Sequence, residues 1–181
     1  MKDWKIILIG VLVLATLSCR FLSPDTRTDE ESIYENDAFS FTIPADWKMA
    51  LFGGDYYDLN VEKVVTIYDN PIMFWSKAFF TVATSPLDGE LETRFVQTYE
   101  GIELWDPLSI DVKSQAYKQG ALSGLEFSYT FAYGEGVYNF HDIWVEKGGF
   151  VYVLSFRTRQ GEFNNYTDIF EEILDSFRFK E

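Results

Sequence analysis

Leu125-Glu126-Phe127-Ser128-Tyr129-Thr130-Phe131-Ala132-Tyr133 alternates apolar and polar side chains, and Gly134-Glu135-Gly136 then turns the chain. Residues 137–147 run back, Gly148-Gly149 turns the chain again, and residues 150–159 make a third pass. Strict alternation marks a half-buried strand, and a Gly-Gly pair between two such runs is a strong hairpin signal. The stretch reads as a three-stranded antiparallel meander.

The turns suggest a register. Setting Tyr133 opposite Val137 brings His141 opposite Tyr129. Setting Lys147 opposite Phe150 brings His141 opposite Phe156. One face then holds Leu125, Phe127, Tyr129, Phe131, Tyr133, Ile143, Val145, Tyr152, Leu154 and Phe156, interrupted only by Asn139 and His141. That is a core face. The other face is mixed, with Glu126, Ser128, Thr130, Tyr138, Phe140, Asp142, Trp144, Val151, Val153, Arg157 and Arg159. Residues 150–156 are apolar on both sides, which predicts a central strand covered on both faces.

Helices are the simplest cover. Tyr166, Ile169, Phe170, Ile173, Leu174 and Phe177 recur at helical spacing, with Asn164 or Asn165 as the expected cap. Leu87, Leu91, Phe95 and Tyr99 recur every four residues, and Gly101 closes a second helix over 87–99. Phe39-Ser40-Phe41-Thr42-Ile43 alternates like a strand, broken by Pro44-Ala45-Asp46 before Trp47 opens another. Residues 61–69 and 72–84 are β-branched and aromatic runs separated by Asn70-Pro71, and 108–119 is a further strand candidate. The expected fold class is α+β, a central antiparallel sheet with helices on both faces.

The N-terminus reads as an address. Residues 1–19 are MKDWKIILIGVLVLATLSC, with Lys2 and Lys5 before 12 uncharged residues, 6–17. A spanning helix needs ~20 apolar residues, so the run suits the core of a signal peptide. It ends at Ser18-Cys19, and this resembles the bacterial lipoprotein signal. The resemblance implies cleavage before Cys19 and a thioether-linked diacylglycerol on its sulfur. Residues 1–18 are then a signal peptide, and 19–36 an acylated Cys with a flexible tether. That tether reaches ~55–60 Å at most and ~23 Å on average. Residues 37–181 form a single domain.

Three pieces of that domain are familiar together: Phe39-Ser40-Phe41-Thr42-Ile43-Pro44-Ala45-Asp46-Trp47, then Gly124-Leu125-Glu126-Phe127-Ser128-Tyr129, and the closing Tyr152-Val153-Leu154-Ser155-Phe156 with Ile173-Leu174-Asp175-Ser176-Phe177. Over roughly 38–178 the chain resembles the PsbP-like/Mog1-like superfamily, which includes many bacterial lipoproteins. The resemblance implies an α/β/α sandwich and a binding or assembly role rather than catalysis. Some members of the family bind metal through His. Here the single His141 falls on the expected core face, which argues against a His-based metal site.

Composition narrows the chemistry. The chain has 181 residues, 15 Lys+Arg, 29 Asp+Glu, one Cys and one His, with a formal charge of −14. Its hydrophobic share of 47% excludes a disordered chain. Its acidity argues against a nucleic-acid partner, since phosphates repel a surface of this sign. One Cys excludes an intrachain disulfide and a Cys-based zinc cluster. Without Lys2, Lys5 and Asp3, 13 basic and 28 acidic residues remain, a formal −15.

His141-Asp142 is the only triad fragment, and neighbours on a strand point to opposite faces. No nucleophile elbow or phosphate-binding Gly loop is present. His141 therefore reads as a buried structural residue. Asn165-Tyr166-Thr167 fits a glycosylation sequon that a bacterial source would leave unused. Tyr138, Phe140, Trp144, Arg157 and Arg159 are the candidate binding residues, since guanidinium groups over aromatic rings present a cationic spot on an acidic protein. The aromatic and acidic Gly53-Gly54-Asp55-Tyr56-Tyr57-Asp58 is a second candidate. Neither a metal nor a cofactor is expected. The expected function is a non-catalytic binding or assembly domain, lipid-anchored on the extracytoplasmic face of a cell membrane, with an envelope protein as partner. The alternatives are an accessory subunit stabilising a membrane complex and a carboxylate-dependent hydrolase.

Overall fold

The β-branched and aromatic runs build about half of the described residues as sheet. The computed structural model describes residues 30–51, 62–103, 115–133 and 136–181. Residues 1–18, read as a signal peptide, Cys19 and the candidate segment 53–58 lie outside the described residues. The strands are β1 (Ser32–Glu35), β2 (Phe39–Ile43), β3 (Lys48–Ala50), β4 (Glu62–Tyr68), β5 (Ala78–Pro86), β6 (Gln115–Gln119), β7 (Leu122–Tyr133), β8 (Gly136–Lys147), β9 (Phe150–Arg159) and β10 (Arg178–Phe179). The helices are α1 (Leu91–Glu103) and α2 (Phe163–Ser176).

Seven strands form one sheet in the order β3-β4-β5-β9-β8-β7-β6, and β1-β2-β10 form a second. All pairings are antiparallel. The result is a sheet-dominated α+β fold. On one face of the large sheet, β2 and α2 together bury Phe39, Phe41, Ile43, Phe170, Ile173 and Leu174 against Phe80, Leu154 and Phe156. On the other face α1 buries Phe95 and Tyr99 against Phe127, Trp144, Val151 and Val153. β9 lies between β5 and β8, and residues 151–156 are all buried, as expected of a central strand.

Several boundaries differ from expectation. Within the segment read as tether, β1 pairs with β2 from Ser32–Ile43 to Glu35–Ser40. α1 starts at Leu91, not at 87, because Gly89 adopts φ 90 and stops the helical path there. Gly101 lies inside α1. Asn164 and Asn165 lie inside α2. Glu162 precedes the helix and its carboxylate accepts a hydrogen bond from Asn165 Nδ2 at 2.9 Å. Residues 72–77 are not strand. They form a loop between β4 and β5 around a 3₁₀ turn, Met73–Trp75.

The largest difference is in register. Lys147 faces Phe150 and His141 faces Phe156, as expected, and Arg157 faces Phe140 and Arg159 faces Tyr138. Across β7–β8, however, Tyr133 pairs with Gly136, and Ser128, not Tyr129, pairs with His141. A one-residue shift exchanges the faces of a strand. Leu125, Phe127, Tyr129 and Phe131 therefore share the face of Trp144 and Asp142, under α1.

Gly124 has no room for a side chain. A Cβ built there would lie 1.9 Å from the Trp144 carbonyl oxygen and 2.9 Å from its carbon. Backbone, not a flexible side chain, would have to move. Gly124→Ala is expected to cost at least ~2–3 kcal/mol, read as a lower urea midpoint with far-UV circular dichroism retained at zero denaturant.

Candidate functional site

The five candidate residues lie on one face, but the face is divided. Trp144 is fully buried and Phe140 nearly so. Neither is accessible to a partner in this fold. Tyr138 and Arg157 are half-buried, and Arg159 is exposed.

The covered part is built on Asp142, which is also fully buried. Its Oδ2 accepts hydrogen bonds from the Tyr99 hydroxyl at 2.6 Å and the Tyr129 hydroxyl at 3.0 Å. Its Oδ1 accepts one from the Ser155 hydroxyl. Trp144 Nε1 donates to the Tyr99 oxygen at 2.9 Å, extending the chain of bonds. Burial pushes the Asp142 carboxyl above the usual carboxylate range, opposed by the hydroxyl hydrogen bonds and by His141. Four elements meet on this group: α1 through Tyr99, β7 through Tyr129, β8 through Asp142 and Trp144, and β9 through Ser155. With both oxygens engaged and no contact with solvent, the carboxyl holds α1 to the sheet.

His141 occupies the opposite face, as strand alternation requires. It is half-buried, not enclosed. Its Nε2 lies 3.0 Å from Glu126 Oε2, and its ring stacks on Phe163 with centroids 6.2 Å apart. Asp142 therefore does not orient it. Among the described residues, no three His, Cys, Asp or Glu side chains converge as a metal site would need.

The open part of the face lies at the other end of the same strands. The Arg157 guanidinium carbon sits 3.9 Å from the Phe79 ring centroid and 5.1 Å from that of Tyr138. This sandwich places a delocalised cation between two aromatic faces, an arrangement that contributes ~0.5–2 kcal/mol. Arg159 Nη2 donates to the Phe74 carbonyl at 3.3 Å, which ties β9 to the β4–β5 loop.

That loop departs from the sequence expectation. Its apolar residues read as the start of a strand, yet Phe74 is 83% exposed, Trp75 61% and Ile72 47%. Its base is fixed. Asp69 Oδ1 accepts from the backbone N–H of Lys77 at 2.9 Å and of Ala78 at 3.3 Å, and its Oδ2 accepts from the Tyr166 hydroxyl. Asn70 Oδ1 accepts from the Ile72 N–H at 2.9 Å. Lys77 Nζ pairs with Glu162 at 3.0 Å, holding that carboxyl below its ordinary range. Asn70-Pro71, a turn dipeptide, was the signal that an exposed loop starts here.

No protein-family model matches the chain, and no curated protein matches it. Solved structures do. A crystal structure of a protein from Bacteroides thetaiotaomicron is similar with a TM-score of 0.54 and 12% identity, over 84% of this chain and 49% of that one. The chain thus spans about half the length of that protein. The solution structure of cyanobacterial PsbP from Synechocystis sp. PCC 6803 is similar with a TM-score of 0.58 and 12% identity, over 86% of this chain and 95% of that one. The fold is PsbP-like.

Proposed function

We propose that the chain is a lipid-anchored, extracytoplasmic binding or assembly domain that works without catalysis. Cys19 carries the lipid, and residues 20–31 tether a domain that folds from Ser32 onward. In finer terms the fold is an α/β/α sandwich of the PsbP/Mog1 kind, with α1 and α2 as its outer layers. The observation that carries the binding role is the open end of the sheet. There Tyr138, Arg157 and Arg159 lie beside a braced loop of exposed aromatics. Aromatic and Arg side chains on a rigid frame are the residues that dominate protein interfaces. The partner is an extracytoplasmic part of a membrane protein. A narrower reading, an accessory subunit that stabilises a membrane complex, is favoured by the similarity to cyanobacterial PsbP.

The test is capture of a stoichiometric membrane protein from detergent-solubilised envelopes by the full chain. Tyr138→Ala combined with Arg159→Ala is expected to weaken capture at least about tenfold while the thermal unfolding midpoint stays within ~2 °C. Undiminished capture by the double variant would remove this surface from the proposal.

A further inference from the structure

The exposed loop beside that surface has an apolar tip of its own. Two large aromatics, Phe74 and Trp75, occupy adjacent positions on a tight 3₁₀ turn, with Ile72 beside them. Val137, from the neighbouring β7–β8 hairpin, is also exposed. That hairpin is joined to β9 by the Gln160 N–H, which donates to the Val137 carbonyl at 2.9 Å. This exposed apolar cluster is distinct from the Tyr138–Arg159 surface assigned to the protein partner. It suits a lipid surface, where Trp prefers the headgroup level and apolar neighbours reach past it. Lys77 and Arg159 flank the loop, and Glu162 beside them is paired with Lys77.

The path of the chain points the same way. β2 runs from Phe39, which packs on Tyr152 near the Gly148-Gly149 turn, to Ile43. Residues 44–47 then lead to Lys48, which pairs with Tyr68 immediately before the exposed loop. Trp47 packs on Tyr166, whose hydroxyl bonds Asp69 at the loop's base. Ser32 pairs with Ile43. Ser32, at the start of β1, therefore lies at the end of the domain that carries the 69–77 loop. Among the described residues no helix is long and apolar enough to cross a membrane, so contact by this domain would be superficial.

We infer that Phe74 and Trp75 insert into the interfacial layer of the bilayer that holds the lipid anchor, and so fix which end of the domain faces the membrane. This rests on the anchored reading for its setting, but the loop's affinity for lipid is a property of its own. Insertion uses apolar contact, because a chain of charge −14 gains nothing from anionic lipid. The open Tyr138–Arg159 end would then lie near the membrane surface, where an extracytoplasmic loop of a membrane protein is within reach.

The experiment uses the full-length protein, purified in detergent and reconstituted into phosphatidylcholine vesicles with brominated acyl chains. Bromine quenches Trp only at bilayer depth. Wild type is expected to lose more emission than Trp75→Phe, the difference isolating Trp75 from Trp47, Trp105 and Trp144, the other Trp residues of a chain cleaved before Cys19. Phe74→Ser with Trp75→Ser, both exposed, should fold normally. In the unacylated Cys19→Ala background this pair should lower vesicle partitioning about tenfold or more. Flotation of wild type against Cys19→Ala reads the anchor separately. Equal flotation would overturn the anchor, while bromine quenching of Trp75 would still support insertion. An anchored protein whose Trp75 is not quenched overturns insertion and leaves the anchor standing. Protection of Trp75 from acrylamide without bromine quenching also overturns it, and assigns the loop to a protein.

Discussion

Asp142→Ala lowers the stability of the domain by about 3–5 kcal/mol, a large part of what a domain of this size possesses. The substitution leaves the Tyr99, Tyr129 and Ser155 hydroxyls without the oxygens they donate to, in a site closed to water. It also opens a small void beneath α1, next to Trp144. Asp142→Asn is expected to retain most of the stability, because the amide keeps one acceptor and the hydroxyls can rotate to accept from its N–H₂. Urea denaturation of the two variants at one pH checks the order. Equal midpoints for Ala and wild type would show that the network does not hold α1.

The pH dependence has a definite sign. Burial raises the Asp142 carboxyl above its unfolded value of about 3.9. The folded state therefore binds the proton more tightly than the unfolded state. The resulting stability is fully present below pH ~4 and is lost as pH rises through the folded pKa. Asp142→Asn carries no titrating group. Its stability relative to wild type is expected to improve from pH 4 upward. A difference that stays flat over pH 4–8 would mean that the fold does not favour the proton at this site.

On the proposed anchoring, Cys19→Ala is expected to move the protein from the membrane to the soluble fraction. Each buried methylene contributes ~0.8 kcal/mol, so the two chains of a diacylglycerol give stable attachment where a single chain would give only marginal binding. Charge offers no substitute, because a chain cleaved before Cys19 would be formally −15 and anionic headgroups would repel it. A pair of exposed aromatics adds orientation and modest affinity, not retention through a salt and carbonate wash. Washed membranes compared by immunoblot supply the test. A variant that remains in the pellet would remove lipidation as the means of attachment.

The sequence was most legible where turns are short and glycine-marked. Gly148-Gly149 set the β8–β9 register correctly, and with it the placing of Arg157 opposite Phe140 and Arg159 opposite Tyr138. The 134–136 turn was harder to read. Treating all three residues as loop set Tyr133 opposite Val137, whereas Gly136 pairs as a strand residue. That slip put Tyr129 and Asp142 on opposite faces and hid the network between them. Tyr99, 43 residues from Asp142 in sequence, could be placed there only by the packing of α1. Ser32-Ile33-Tyr34-Glu35 is too short, and its surroundings too polar, to give a strand signal of its own, since its pairing with β2 is a tertiary fact. The Phe74–Trp75 loop was hidden for the opposite reason: its apolar composition resembles a strand until exposure shows otherwise. Of the five candidate binding residues, alternation grouped all on one face correctly. It could not show that α1 covers Trp144 and leaves Tyr138 and Arg159 at the open end.

The central claim is that this domain works at a membrane to which its own N-terminus binds it by lipid. Mass spectrometry of the N-terminal peptide of the native protein, taken from its own membranes, tests this most directly. The expected result is a chain that begins at Cys19 and carries the mass of a diacylglycerol on its sulfur. A chain that retains residues 1–18, or that bears Cys19 as a free thiol, would contradict it.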